Sequence, residues 1–147
     1  MKAKLKHLGK MRFDAAADSG HQITMDASPA VGGENAGPRP MEMVLMGLGG
    51  CSGIDVVMIL KKSRQQVTGC EIELNAERAD TAPKVFTRIH VHYIVTGNNL
   101  DRTKVDRAVV LSMEKYCSVT LMLRASVQIT HGFEIVEEGS LKINSKN

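Results

Sequence analysis

Apolar and polar residues alternate along six segments of the chain, which is the period-2 pattern of half-buried strands. The three short segments that come first have their apolar side at Ala3 and Leu5, then Met11, Phe13 and Ala15, then His21, Ile23 and Met25. Two longer segments follow at about residues 70–76 and 85–95, and the last covers residues 125–135. Residues 27–39 are dense in Gly, Pro, Asn and Ser, which predicts a loop that is mobile or ordered only against a partner.

The stretch over residues 40–60 reads PMEMVLMGLGGCSGIDVVMIL and has only three polar side chains, Glu42, Ser52 and Asp55. A proline suits the first turn of a helix, and an early glutamate suits the positive end of the helix dipole. We therefore predict a buried central helix that begins at this proline and ends near Arg64.

A second helix is predicted to begin near Asp101, whose carboxylate can cap the first N–H groups. Its apolar positions form two adjoining stripes at helical spacing, Val105, Val109, Ser112, Tyr116, Val119 and Leu123 beside Val110, Met113, Cys117 and Leu121. Stripes of this width are typical of a largely buried helix. The predicted order is βββαββαβ, an α+β fold of mostly antiparallel strands. We expect one domain over residues 1–147, with residues 139–147 as a disordered tail.

The central helix is apolar nearly all round, so it needs cover on every side, whereas a sheet covers one side. A second copy of the chain can cover the other. We therefore predict an obligate homodimer in which the two central helices pack together. Four small residues of the helix permit close backbone approach, namely Gly47, Gly49, Gly50 and Gly53.

Composition argues against several classes of function. The net charge is +3, with three Phe, two Tyr and no Trp, which is too little charge and aromatic surface to indicate nucleic-acid binding. The three cysteines include no CxxC pair, which favours a reducing cytoplasm over a disulfide framework or a zinc site. No apolar signal core follows the basic N-terminus. The one apolar run contains four glycines and Asp55, so we predict no membrane span.

Cys51 is the main candidate for chemistry, because it lies in the sequence GGCSG inside the central helix. Each glycine there costs about 1 kcal/mol of helix propensity, for which helix packing and a cavity beside the sulfur are equal explanations. The thiol attacks only as a thiolate, yet the helix dipole fades before this position. Asp55 opposes ionisation by its charge. A cation is therefore expected from elsewhere, with Arg39 and Arg12 as candidates.

The other chemistry-bearing residues have structural explanations beside the functional ones. Cys70 falls on an apolar strand face as a core residue, and His131 falls on another as a core histidine rather than a catalytic base. His90 and His92 share one strand face and could bind a metal, but without a third ligand we expect a solvated face and no metal. Cys117 could approach Cys51 if the helices pack, or the two could be independent core cysteines.

At these residues the chain resembles the OsmC/Ohr family, the osmotically inducible and organic hydroperoxide resistance proteins. The resemblance lies in Pro40 followed eleven residues later by Cys51, in the GGCSG setting, and in Cys117 within EKYCSV. It implies an intertwined homodimer whose antiparallel sheets wrap two central helices, with active sites at the subunit interface and no cofactor. It also implies that Cys51 attacks an organic hydroperoxide and that Cys117 then closes a disulfide, which a dithiol such as lipoamide or a small thiol reduces.

Peroxidase branches of that family have a Glu directly after the Pro, which holds an Arg against the reactive sulfur. Here that position is Met41, and Glu42 comes one residue later, rotated by about 100° around the helix. The family's N-terminal Arg has no clear match. Our leading hypothesis is a cytoplasmic thiol peroxidase that reduces organic hydroperoxides in oxidative-stress defence. The alternatives are a non-enzymatic redox-sensing or ligand-binding protein, and thiol-dependent acyl transfer by Cys51 with His131.

Overall fold

A computed structural model describes residues 1–139 of the chain. Its strands are β1 Ala3–His7, β2 Phe13–Ala17, β3 Gln22–Met25, β4 Gln66–Arg78, β5 Phe86–Asn98 and β6 Gln128–Glu137. Its α-helices are α1 Pro40–Lys62, α2 Arg102–Leu111 and α3 Ser118–Leu123. The order confirms the predicted α+β fold. Apart from Gly139, the predicted tail lies outside the described residues, and the chain divides into two compact units, Met1–Met46 and a second that begins at Gly47.

In the first unit, β1, β2 and β3 form an antiparallel sheet in sequence order. The loop that follows is ordered within its own unit by the carboxylate of Asp26, which is 1% exposed. It accepts hydrogen bonds from the backbone N–H groups of Ala27, Glu34 and Ala36, at 2.8, 2.7 and 3.1 Å. Burial acts to raise the pKa of Asp26, but these hydrogen bonds and the Arg12 charge hold it below its usual value. The prediction that this loop needs a partner to become ordered was therefore wrong.

The second unit contains the sheet β4-β5-β6. β4 pairs with β5 antiparallel, and β6 returns through the helical segment to pair with β5 parallel. Alternate residues of β5 are fully or almost fully buried on one face, namely Ile89, Val91, Tyr93 and Val95. The intervening residues, among them His90 and His92, lie on the other face of the sheet, and this alternation follows directly from the strand pleat.

Helix α1 packs on β4 with one side only. Its fully buried side chains are Leu48, Ser52, Val56 and Leu60. A Cβ on Gly49 would lie 2.9 Å from Leu74 Cδ1, and one on Gly53 would collide with Ile72 Cδ1, so these two glycines let the helix approach the sheet. Within residues 1–139, α1 is the one helix long and apolar enough to span a membrane, and its contacts with β4 are those of a core helix.

The second predicted helix is not continuous. It divides into α2 and α3 around a π-helical turn at Ser112–Tyr116, and Cys117 follows with extended backbone angles, φ −68° and ψ 105°. The prediction of one continuous helix from Asp101 to Leu123 was therefore wrong at residues 112–117. The π turn also changes which side chains are buried. Tyr116 is 50% exposed, although the sequence pattern predicted that it is buried.

Candidate active site

Three reactive side chains of the second unit meet at one place. Cys51 and Asp55 lie one turn apart on α1, so they share a helix face, and Cys117 lies at the start of α3. The two sulfur atoms and a carboxylate oxygen of Asp55 all lie within 4.8 Å of one another. All three cysteines of the chain are free. The structure thus brings together the two cysteines singled out in the sequence and adds Asp55 as a direct neighbour of both.

The π turn positions Cys117. The backbone N–H of Cys117 donates to the Ser112 carbonyl at 2.8 Å, which closes the wide turn and ends the helix there. The Cys117 sulfur then acts as the N-cap of α3, accepting from the backbone N–H of Thr120 at 3.4 Å. The side chain is fully buried, and burial, assisted by the adjacent Cys51 thiol, raises the pKa of Cys117. Cys117 is therefore held as a thiol outside regular helix.

Ser112 connects the π turn to α1. Its hydroxyl donates to the backbone carbonyl of Ser52 at 3.0 Å and lies 3.4 Å from Asp55 Oδ2. Ser112 and Ser52 are both fully buried. This contact fixes the turn that carries Cys117 against the helix that carries Cys51, and it holds the Asp55 carboxylate beside them.

Tyr93 of β5 lies below this cluster. Its side chain is fully buried, and its hydroxyl donates to Met113 Sδ at 3.1 Å. Burial raises the pKa of Tyr93 to about 12, so the phenol stays neutral near the thiols. Sequence reasoning missed Ser112 and Tyr93 as site residues, because in the sequence both read as members of apolar stripes.

Comparison with known proteins identifies the family. Residues 32–132 match the family model described as OsmC-like protein. The chain belongs to the OsmC-like family. The chain is 53% identical over 136 residues to protein YhfA of Escherichia coli strain K12, covering 92% of this chain and 98% of YhfA.

Two solved structures share this fold. A hypothetical protein from Aquifex aeolicus VF5 is 34% identical with a TM-score of 0.82, covering 93% of this chain and 96% of that one. The organic hydroperoxide resistance protein OhrB of Bacillus subtilis is 22% identical with a TM-score of 0.61, covering 91% and 98%. The second likeness concerns the fold alone. The family and the fold class expected from the sequence are therefore confirmed.

The residues expected to supply a cation to this OsmC-like site have partners within the first unit. Arg12 Nε lies 3.5 Å from Glu34 Oε2. Arg39 Nη1 lies 3.8 Å from Glu42 Oε2, and its Nη2 donates to Asn35 Oδ1 at 2.9 Å. Glu42 also accepts from the Arg39 backbone N–H at 2.9 Å, so it caps the start of α1. That Arg39 or Arg12 activates Cys51 stays a prediction.

The remaining sequence candidates lie outside the cluster. Cys70 lies on the inner face of β4 with Ile72 and Leu74, and burial raises its pKa. His131 lines a small cavity with Met113 and Thr120 and is not one of the three clustered side chains. Of the glycines around Cys51, Gly49 and Gly53 are used in packing on β4, whereas a Cβ on Gly47 or Gly50 would meet no described atom within 4 Å.

Proposed function

We propose that this OsmC-like protein is a thiol peroxidase that reduces organic hydroperoxides in cytoplasmic oxidative-stress defence. The observation that carries the proposal is the meeting of Cys51, Asp55 and Cys117 with their reactive atoms within 4.8 Å of one another. A nucleophilic thiol, a second thiol and a proton acceptor are the groups that two-step peroxide reduction requires. The organic hydroperoxide resistance named for the OhrB neighbour agrees with this chemistry.

In the first step, the Asp55 carboxylate accepts the Cys51 proton as the sulfur attacks the terminal oxygen of ROOH. The O–O bond breaks, sulfur loses two electrons and becomes the sulfenic acid, and the alkoxide takes the proton back from Asp55 to leave as the alcohol. Proton transfer to Asp55 avoids placing two full negative charges side by side. Asp55 thus acts as a general base and then a general acid.

In the second step, the Cys117 thiol attacks the sulfenic sulfur of Cys51. The S–O bond breaks and hydroxide leaves. Asp55 transfers the proton of the Cys117 thiol to this hydroxide, which departs as water. The two sulfurs lie within 4.8 Å of each other, and they must approach to about 2.05 Å to form the disulfide. An external dithiol or small thiol then reduces the disulfide by exchange.

Apolar surface beside the thiols favours an organic peroxide over a strongly hydrated one. The exposed apolar residues of the π turn and α3 next to Cys117 are Tyr116, Leu121 and Met122. A separate exposed apolar face of α1 runs through Met46, Ile54 and Met58. We propose that a second copy of the chain covers this face of α1, so that the active form of the protein is a homodimer.

Steady-state reduction of cumene hydroperoxide by dihydrolipoamide tests the function. Cys51→Ser should abolish turnover. Cys117→Ser should accumulate a sulfenic acid on Cys51, trapped by dimedone, and turn over slowly. Asp55→Asn keeps the size of the side chain but loses the base, and should lower kcat by about 100-fold or more. Asp106→Asn, on the exposed face of α2, makes the same charge change away from the site and should leave kcat unchanged.

The same experiment separates the alternatives. Turnover that survives in Cys51→Ser would contradict the assignment of the nucleophile. One stoichiometric oxidation of the wild-type protein without turnover would favour a redox-sensing protein over an enzyme. Full activity of Asp55→Asn would remove Asp55 from the mechanism and leave the two cysteines in place.

A further inference from the structure

We propose that His90 and His92 form a surface site for a late divalent transition-metal ion such as Zn²⁺, on the face of the β4-β5-β6 sheet opposite the thiols. The two histidines lie two residues apart on β5 and therefore on the same face of the strand. Their ring centroids are 6.3 Å apart and their planes differ by 25°. Tyr93, next in the chain, points the other way into the core.

Gly132 of β6 lies beneath both imidazoles. It pairs with His92 in the parallel register. A Cβ at Gly132 would lie 3.3 Å from His92 Nδ1 and 3.7 Å from His90 Nε2. Gly132 is not among the glycines with positive φ, so the backbone does not require a glycine here. A glycine inside a strand weakens it and often marks the close approach of a ligand.

The second ring nitrogen of each histidine lies near a side-chain oxygen, hydrogen-bonded to it in His90 only. His92 Nε2 lies 3.7 Å from Glu134 Oε1, and His90 Nδ1 lies 2.8 Å from Thr130 Oγ1. When these two nitrogens carry the protons, His92 Nδ1 and His90 Nε2 present lone pairs to the position above Gly132. A histidine that binds a metal through one nitrogen and donates through the other to a carboxylate or hydroxyl is the usual arrangement in metal sites.

Imidazole pairs suit Zn²⁺, Ni²⁺ and Cu²⁺ rather than Mg²⁺ or Ca²⁺. Zinc–nitrogen bonds are about 2.0–2.1 Å, so both rings must turn toward a shared ion above the β6 backbone. Both rings are at least partly solvent-exposed, which permits that movement, and water can complete the coordination. The sequence alone favoured a solvated face for want of a third ligand. The structure adds the convergence of His92 Nδ1 and His90 Nε2 over Gly132, where no side chain separates them, and the nearby acceptors Thr130 and Glu134.

Zinc titration by calorimetry tests the site on the full chain with Cys51→Ser and Cys117→Ser, since the thiols with Asp55 could bind the same ion. One Zn²⁺ per chain should bind. His90→Gln and His92→Gln should each abolish that binding, and Gly132→Ala, whose Cβ would press on both imidazoles, should weaken it at least tenfold. Glu134→Gln should weaken it by about tenfold. His21→Gln, an exposed histidine of the first unit, should leave the affinity unchanged.

Histidine side-chain ¹H–¹⁵N correlation spectra identify the nitrogens that bind. Zinc should shift His92 Nδ1 and His90 Nε2, while the protons remain on His92 Nε2 and His90 Nδ1. Zinc affinity that survives His90→Gln or Gly132→Ala, ligation through the other nitrogens, or the lack of any saturable binding would each overturn the proposal. None of these outcomes depends on the peroxidase proposal, because no peroxide or reactive thiol enters the measurement.

Discussion

Sequence and structure lead to different roles for Asp55. From the sequence, its spacing of four residues from Cys51 is visible, and its charge reads as an obstacle to thiolate formation. The structure places its carboxylate oxygen within 4.8 Å of Cys117 as well and beside the Ser112 hydroxyl. These contacts come from a different segment of the chain, so no local pattern could predict them. They support the role of a proton acceptor shared by two thiols.

Tyr93 makes the free energy of unfolding depend on pH in the alkaline range. Burial raises its folded-state pKa from 10.0 to about 12. Below pH 10 the phenol is protonated in both the folded and the unfolded chain. Between pH 10 and about 12 the unfolded chain releases this proton while the folded chain retains it, so the free energy of unfolding falls as pH rises. Tyr93→Phe removes this group, and its stability should fall less steeply than that of the wild type over this window.

Urea unfolding at several pH values from 8 to 12, with the difference taken between wild type and Tyr93→Phe, isolates this group from all the groups that the two proteins share. Tyr116→Phe serves as the control, because Tyr116 is half-exposed and should leave the pH dependence unchanged. Parallel curves for wild type and Tyr93→Phe would show that Tyr93 is not the source of the alkaline loss.

At the scale of elements, the alternation of residues predicted all six strands and the first helix correctly, because period 2 and the apolar run are local properties. The interruption at Ser112–Tyr116 was not predictable in this way. The sequence SMEKYCSV contains no Gly or Pro, and each residue fits a helix. The turn is stabilised by the Ser112 hydroxyl on the Ser52 carbonyl, a contact between residues 60 positions apart in sequence.

The start of α2 was predicted from its capping residue. The Asp101 carboxylate accepts from the backbone N–H groups of Thr103 at 2.8 Å and Lys104 at 3.3 Å. Asp101→Ala should lower the free energy of unfolding by about 1 kcal/mol, because these N–H groups lose their partner. Asp101→Ser removes the same charge but keeps an acceptor oxygen, so it should retain most of the stability. Denaturant unfolding at one fixed protein concentration measures both, and equal losses would mean that charge rather than capping is responsible.

At the scale of the whole molecule, sequence predicted the central helix and explained its glycines by a helix–helix contact or by a cavity beside Cys51. Gly49 and Gly53 instead face Leu74 and Ile72 of β4. Gly47 and Gly50 remain on the side of α1 that meets no described side chain. A single apolar run cannot reveal which of its sides meets the sheet, since that depends on where β4 returns to the helix. The homodimer therefore stays a prediction, now confined to one face of α1.

A substitution on that exposed face of α1 tests whether the chain forms the homodimer. Ile54 is 64% exposed and Met58 is 47% exposed, and both follow Gly50 at helical spacing. In a dimer with packed central helices, Ile54→Glu would bury two like charges in an apolar contact, so the dimer should dissociate and peroxidase turnover should fall with it. Sedimentation equilibrium at micromolar concentration measures the mass. Val85→Glu, a residue 53% exposed in the turn before β5, should leave a dimer, whereas a folded wild-type monomer would contradict the assembly itself.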